Sequence, residues 1–413
     1  MGNDEMSGCP VEYWIWLQRA LGAGARTDEI LGLFTNPYNM YEAGSGEWRA
    51  SGVITPAQFA KLRQHSPSQC YDIKKHCEQH GYDIIAYDDE YYPPRLRDIS
   101  SAPLVLYVQG DKQVLASPVM ISVVGTRQAS RYGVEVTQKL SRQLSQAGAV
   151  IVSGGALGID SEAHAGAMLA KGKTVAFLGC GLSVDYLREN AALRRAIARN
   201  GAVVSEFFPD APANRSTFPI RNRLISGVSL GTLVIEAGEK SGSLITANFA
   251  LEQGRDVFAV PGDVISSSYT GANKLIRDGA KPVFTAMDIM SEYAFEYPDL
   301  INLSRSNEPI SSVEYVNYRN MSGKSHTNEK RKTEPVRVEP PACKEPVSVK
   351  RELPESVSDD AKKVYAVFGD SAVHVDDIKR LSELSLPQVL AALTELEMYG
   401  FITLESGKNY IKV

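Results

Sequence analysis

The sequence predicts an α/β fold: a parallel sheet covered by helices on both faces, with helical patterns before it and a winged-helix pattern after it. Three observations carry this. Near-continuous apolar runs of strand length recur between 119 and 262, alternating with longer helical patterns. Strands buried on both faces lose their polar alternation, and intervening helices supply the crossovers of a parallel sheet. Short helical patterns with small breaks occupy 10–80, and three helical patterns plus a hairpin close the chain beyond a stretch rich in Pro, Ser, Glu and Lys. The domain division is therefore 10–80 helical, 82–295 sheet-bearing, 301–357 flexible linker and 358–413 winged helix.

The central block reads as follows. VMISVV (119–124) ends at Gly125, and a helical pattern runs over about 130–147. AVIVS (149–153), a helix at about 159–170, TVAFLG (174–179), a helix at about 188–199 and AVVSEF (202–207) come next. TLVIEA (232–237) leads to a helix at about 243–253, and DVFAVPG (256–262) closes the series. Ligands of such sheets sit beyond the carboxyl ends of the strands. The residues there are Gly125-Thr126-Arg127, Ser153-Gly154-Gly155, Gly179-Cys180-Gly181 and Ser241-Gly242-Ser243. Small residues at these turns let backbone amides approach an anion, which the helix dipole also favours. A single such turn is equally well read as a tight βα connection. Several on one sheet, with Arg127 and the cluster Arg215, Arg221 and Arg223, point to a phosphate-rich ligand. Phe218 lies within that cluster and supplies an aromatic face for a base; a core aromatic beside Pro219 is the other reading.

Bulk properties set limits. A net charge of −5 argues against coating nucleic acid with the whole surface, so any such contact must come from a local patch. Five scattered cysteines fit a reducing, cytoplasmic setting better than a disulfide framework. The absence of an apolar run of about 18 residues leaves no transmembrane helix to expect. The dinucleotide fingerprint is incomplete at 179–181, and GxxxxGK[ST] is absent, so no cofactor is expected. The GxSxG match at 227–231 has its strand after the serine rather than before it, which is the wrong order for a nucleophile elbow. Ser153, Asp160 and His164 can be drawn as a triad, but Asp160 and His164 lie one helical turn apart, a spacing typical of capping and packing. Cys70, His76, Cys77 and His80 match no standard zinc spacing, and no metal is expected.

The motifs SVVGTRQASRYG (122–133), SGGALGIDSEAH (153–164), FPIRNRLISGVS (218–229), VIEAGEKSGSLITANFALEQGRDVFAVPG (234–262) and GANKLIRDGA (271–280) stand in this order along the chain. In them the chain resembles the DprA/Smf family. The resemblance implies a Rossmann-like domain that binds single-stranded DNA, forms a homodimer and loads a RecA-type recombinase onto the strand in natural transformation, with no catalytic step. It implies that Arg127 contacts phosphate, that Arg215 is a basic contact, that Phe218 stacks on a base and that Asn222 touches the strand. Gly125, Ser153, Gly154, Arg221, Ser241 and Gly242 complete the expected DNA-binding set. One departure is at 185–190, DYLREN, where the family often has Pro after the tyrosine. Since Arg221 and Arg223 cannot both face a pocket from one helix, one of them is expected to pair with an acid. The alternative is a phosphoribohydrolase-like, nucleotide-processing enzyme with Glu236 as its carboxylate.

The flanking blocks are less specific. Leu21-Gly22-Ala23-Gly24-Ala25 looks like a helix-hairpin-helix turn, whose amides can meet a phosphate. In the final block no Lys or Arg occurs from 381 to 407, whereas Glu383, Glu395, Glu397 and Glu405 do. A helix that reads a DNA groove needs cations and bidentate donors, so this domain is expected to contact protein.

Overall fold

The computed structural model describes residues 8–307, 357–368, 373–382, 384–399, 401–405 and 409–412. Most of the expected linker (308–356) and the hairpin turn at 406–407 lie outside these residues. The chain divides into two compact units, Met1–His326 and Thr327–Val413.

The first unit opens with helices α1 (Val11–Leu21), α2 (Asp28–Phe34), α3 (Pro37–Ala50, kinked at Gly44), α4 (Pro56–Gln64) and α5 (Tyr71–His80). Their apolar faces bury Trp14, Trp16, Leu17, Trp48, Leu62, Cys70 and Cys77 together with Val105 and Tyr107. The last two belong to the sheet, so the helical block packs on strands rather than closing on itself.

Strands β1 (Asp83–Ala86) and β2 (Val105–Gly110) precede β3 (Met120–Val124). The series then runs α6 (Arg131–Gln146), β4 (Val150–Ser153), α7 (Ile159–Leu169), β5 (Thr174–Phe177), α8 (Ala191–Asn200), β6 (Ala202–Ser205) and α9 (Thr217–Val228). It ends with β7 (Gly231–Val234), α10 (Gly242–Glu252), β8 (Asp256–Ala259), α11 (Thr270–Arg277), β9 (Lys281–Pro282) and α12 (Met287–Tyr293). Nine strands form one sheet in the order β1-β2-β6-β5-β4-β3-β7-β8-β9. From β6 to β9 all pairs are parallel, whereas β1–β2 and β2–β6 are antiparallel. The parallel expectation therefore holds for the core, and an antiparallel edge is added on the side where the N-terminal helices pack.

Alternate residues of each strand feed the two faces. Met120 and Val124 join Leu224, Ile225, Val228, Ala247 and Ala250 of α9 and α10. Ile121 and Val123 join Leu140 and Leu144 of α6 and Ala163 and Ala167 of α7. Strand order reverses between β3 and β7, because β4 to β6 lie on one side and β7 to β9 on the other. A crevice for ligand opens beyond the carboxyl ends of strands at such a reversal.

The second unit holds α13 (Asp359–Val367), β10 (Val373–His374), α14 (Val375–Ser382), α15 (Leu386–Met398), β11 (Ile402–Glu405) and β12 (Asn409–Lys412). Its three strands pair in the order β10-β12-β11, and Val364, Ile378, Val389, Leu393 and Leu396 form its core. Three helices with a small antiparallel sheet make the winged-helix pattern read from the sequence.

Candidate nucleic-acid interface

A cavity of about 740 Å³ lies at the reversal point. The turn after β3 contributes Gly125, Thr126 and Arg127, the segment leading into α9 contributes Asn214 and Arg215, and α9 itself contributes Phe218, Arg221 and Asn222. The start of α10 contributes Ser241, Gly242 and Ser243. Eight of the ten residues expected from the sequence therefore line one space, although they come from three distant parts of the chain.

Arg127 and Arg215 are exposed, and neither forms an ion pair among the described residues. The Arg127 guanidinium carbon stands 5.4 Å from the centre of the Phe218 ring. That ring rests on Gly179: a Cβ at position 179 would lie 2.7 Å from Phe218 Cδ1, so the close seat needs glycine. Ser241 caps α10 and accepts from the Ser243 amide at 3.4 Å. An eleven-residue helix thus presents its N-terminus to the cavity, a favourable place for negative charge.

Arg221 plays a different part from the other two arginines. It is 4% exposed, and its Nη1 donates to the carbonyls of Gly154, at 2.7 Å, and Phe177. A side chain at 154 would collide with the guanidinium, since its Cβ would lie 2.4 Å from Nη1. Burial pushes Arg221 down from its usual value and pushes the neighbouring Asp160 carboxyl up; each charge partly offsets the other's shift. Arg221 is therefore a fixed buried cation in the wall. Asn222 ties the wall together: its Oδ1 accepts from Arg221 Nε at 3.2 Å, and its Nδ2 donates to Gly242 O at 3.4 Å.

Two expected residues are not brought to the cavity. Ser153 is fully buried, and its hydroxyl donates to Val123 O at 2.7 Å. Gly154 lies behind the cavity wall, where it receives Arg221. Ser153 ends β4 and Gly154 follows it, as the sequence indicates. Arg223 is the member of the cluster that pairs with an acid: its Nη2 meets both carboxylate oxygens of Glu206 at 2.6 Å. The same carboxylate accepts from the Gly24 amide at 3.2 Å. That amide of the 21–25 turn is thereby occupied by an internal anion.

Ser229 is buried, donates to Ile225 O at 2.9 Å and follows α9 rather than a strand. Asp160 accepts from the Gly154 and Ala156 amides, whereas His164 Nδ1 lies 2.7 Å from Thr174 Oγ1, so the histidine is engaged apart from Ser153 and Asp160. Glu236 is 1% exposed. Its Oε2 accepts from Ser130 N at 3.0 Å, Ser130 Oγ at 2.8 Å and Tyr269 Oη at 3.1 Å, which fixes the start of α6 and turns the carboxylate away from the cavity.

One residue of the site was not singled out from the sequence. Tyr186 lines the same cavity, with its ring centre 5.3 Å from that of Phe218 at an interplanar angle of 41°. It lies 32 residues before Phe218, in the loop where the chain departs from the family pattern, and no spacing rule links the two.

The chain has extensive likeness to known proteins. A family described as DNA recombination-mediator protein A matches residues 83–294, and a DprA winged helix domain matches 349–408. Protein Smf of Synechocystis is 32% identical over 419 residues, covering 99% of each chain. DNA processing protein DprA of Bacillus subtilis is 42% identical over 214 residues, 52% of this chain and 72% of its own. The X-ray structure of DNA processing protein A from Streptococcus pneumoniae superposes with a TM-score of 0.60 at 33% identity, covering 70% of this chain and 99% of that one. With a parallel core reversing at β3, a cationic cavity at the reversal and likeness along its full length, the chain belongs to the DprA/Smf family.

Proposed function

We propose that this protein binds single-stranded DNA in the cavity and passes the strand to a RecA-type recombinase, acting as a homodimer and without a catalytic step. The observation that carries the DNA reading is the pair of exposed guanidiniums, Arg127 and Arg215, without an ion-pair partner among the described residues and beside an aromatic ring in one cavity. Cations track the phosphates, and a ring accepts any base, so the combination suits a flexible strand of arbitrary sequence. The α10 N-terminus adds amide donors for a phosphate. Transfer to a recombinase and homodimerisation rest on membership of the family rather than on this cavity. Glu236 faces away from the cavity, which leaves the phosphoribohydrolase reading without its carboxylate.

The test is oligo-dT binding by fluorescence polarisation at two salt concentrations. Arg127→Ala should weaken binding and lower the log–log salt slope by about 0.7, the contribution of one phosphate contact on a single strand. Phe218→Ala should cost about 1–3 kcal/mol with the slope unchanged. Salt-insensitive binding, or release of a nucleobase from a nucleoside monophosphate, would refute the reading. Stimulation of a recombinase's DNA-dependent ATPase on a strand already coated with single-strand binding protein tests the transfer step.

A further inference from the structure

We infer that Tyr186 is a second base-stacking face, so that the cavity holds two unstacked bases of the strand. This rests on the single-stranded DNA reading and extends it. The Phe218 ring already has the Arg127 guanidinium 5.4 Å from its centre and Gly179 beneath it. Tyr186 stands beside it, half-buried, and Phe218 is its aromatic partner among the described residues. The two rings are inclined at 41°, and one planar base cannot lie flat on both. Each ring therefore addresses its own base. The cavity volume of about 740 Å³ lies well up the range of about 300–1,000 Å³ typical of ligand sites.

The chemistry of the residue supports a role in binding rather than in packing alone. Tyr186 is only half-buried, so its ring keeps surface that the fold does not cover. Tyr186 Oη forms no hydrogen bond among the described residues, whereas its backbone is held firmly. Arg194 Nη1 donates to the carbonyls of Tyr186 and, at 3.1 Å, Leu187. Leu187 takes φ 51°, a left-handed conformation that side-chain-bearing residues rarely adopt unless the surroundings hold them in it. Arg194 is thus a positioning residue that fixes where the Tyr186 ring stands.

The experiment measures the affinity of the full chain for a dT 12-mer and for the same length of abasic strand. Tyr186→Ala should weaken dT binding about 5- to 150-fold, the equivalent of one stacked base, and leave abasic binding unchanged. Tyr186→Phe should bind dT like the wild type, and Tyr186→Leu, which keeps the bulk but not the ring, should behave like Tyr186→Ala. Equal losses on dT and abasic strands would make Tyr186 a structural support and overturn the inference. Binding that is salt-sensitive and lost in Arg127→Ala, yet indifferent to every Tyr186 variant, would overturn the inference while sparing the DNA reading. Failure of the wild type to bind either strand would overturn both.

Discussion

Residues of one type meet different surroundings in this protein. Arg127, Arg215, Arg221 and Arg223 carry the same charge. The first two meet solvent, the third meets carbonyls and the fourth a carboxylate. His164 shows the same dependence on context. The Thr174 hydroxyl donates its one hydrogen to Ile151 O at 2.7 Å, so it accepts from His164 Nδ1, and Nε2 is buried with no partner among the described residues. Burial, with Arg221 adding to it, pushes the imidazole from its ordinary 6.5 down to about 3. The unfolded chain therefore takes up a proton near pH 6.5 that the folded chain refuses. The contribution is complete above pH 6.5 and is lost as pH falls toward 3, at up to about 1.4 kcal/mol per pH unit. Urea midpoints should fall between pH 7.5 and pH 5.5, and His164→Leu should flatten that part of the profile. An unchanged slope in the variant would assign the acid lability to other groups.

At the scale of elements, Glu206 joins three parts of the chain. It follows β6, pairs with Arg223 of α9 and accepts from Gly24 between α1 and α2. Both partners of the ion pair are about 5% exposed or less, and Arg223 Nε and Nη1 have no hydrogen-bond partner among the described residues. Removing one member of such a pair strands a buried charge, at a cost of about 3–5 kcal/mol. Glu206→Ala should lose that much in urea denaturation. Glu206→Leu combined with Arg223→Met should recover most of it, because a buried pair gains little over apolar groups of similar volume. If the double variant is no better than the single one, the carboxylate's bond to Gly24 is the larger contribution.

At the scale of the whole molecule, the chain divides into two compact units. The cavity belongs entirely to the first unit. In the second, α15 exposes Leu386 and Leu390, and Glu395 is bound to Ser358 at the start of α13. A chain ending at residue 326 should accordingly keep the oligo-dT affinity and salt slope of the full protein. A lower slope would place phosphate contacts in the second unit and contradict the protein-contact role expected from the absence of Lys and Arg over 381–407.

The sequence by itself determined the class of fold, because strand burial on two faces and helix amphipathicity are written in local periodicity. It also pointed to residues that the structure brings to one cavity, since Arg127, Arg215, Phe218 and the 241–243 turn stand at strand ends and helix starts. Tertiary structure decided which of them share a space. Ser153 ends a strand like the others, yet its hydroxyl is used by Val123 inside the sheet. Arg221 and Arg223 differ by two positions, or about 200° around a helix, and what lies on each side is set by β5 and β6 rather than by α9. Tyr186 reaches Phe218 only because the loop after β5 meets the first turn of α9. Local pattern follows from the chemistry of neighbours in sequence; a binding site follows from neighbours in space, and those are fixed when the strands take their order.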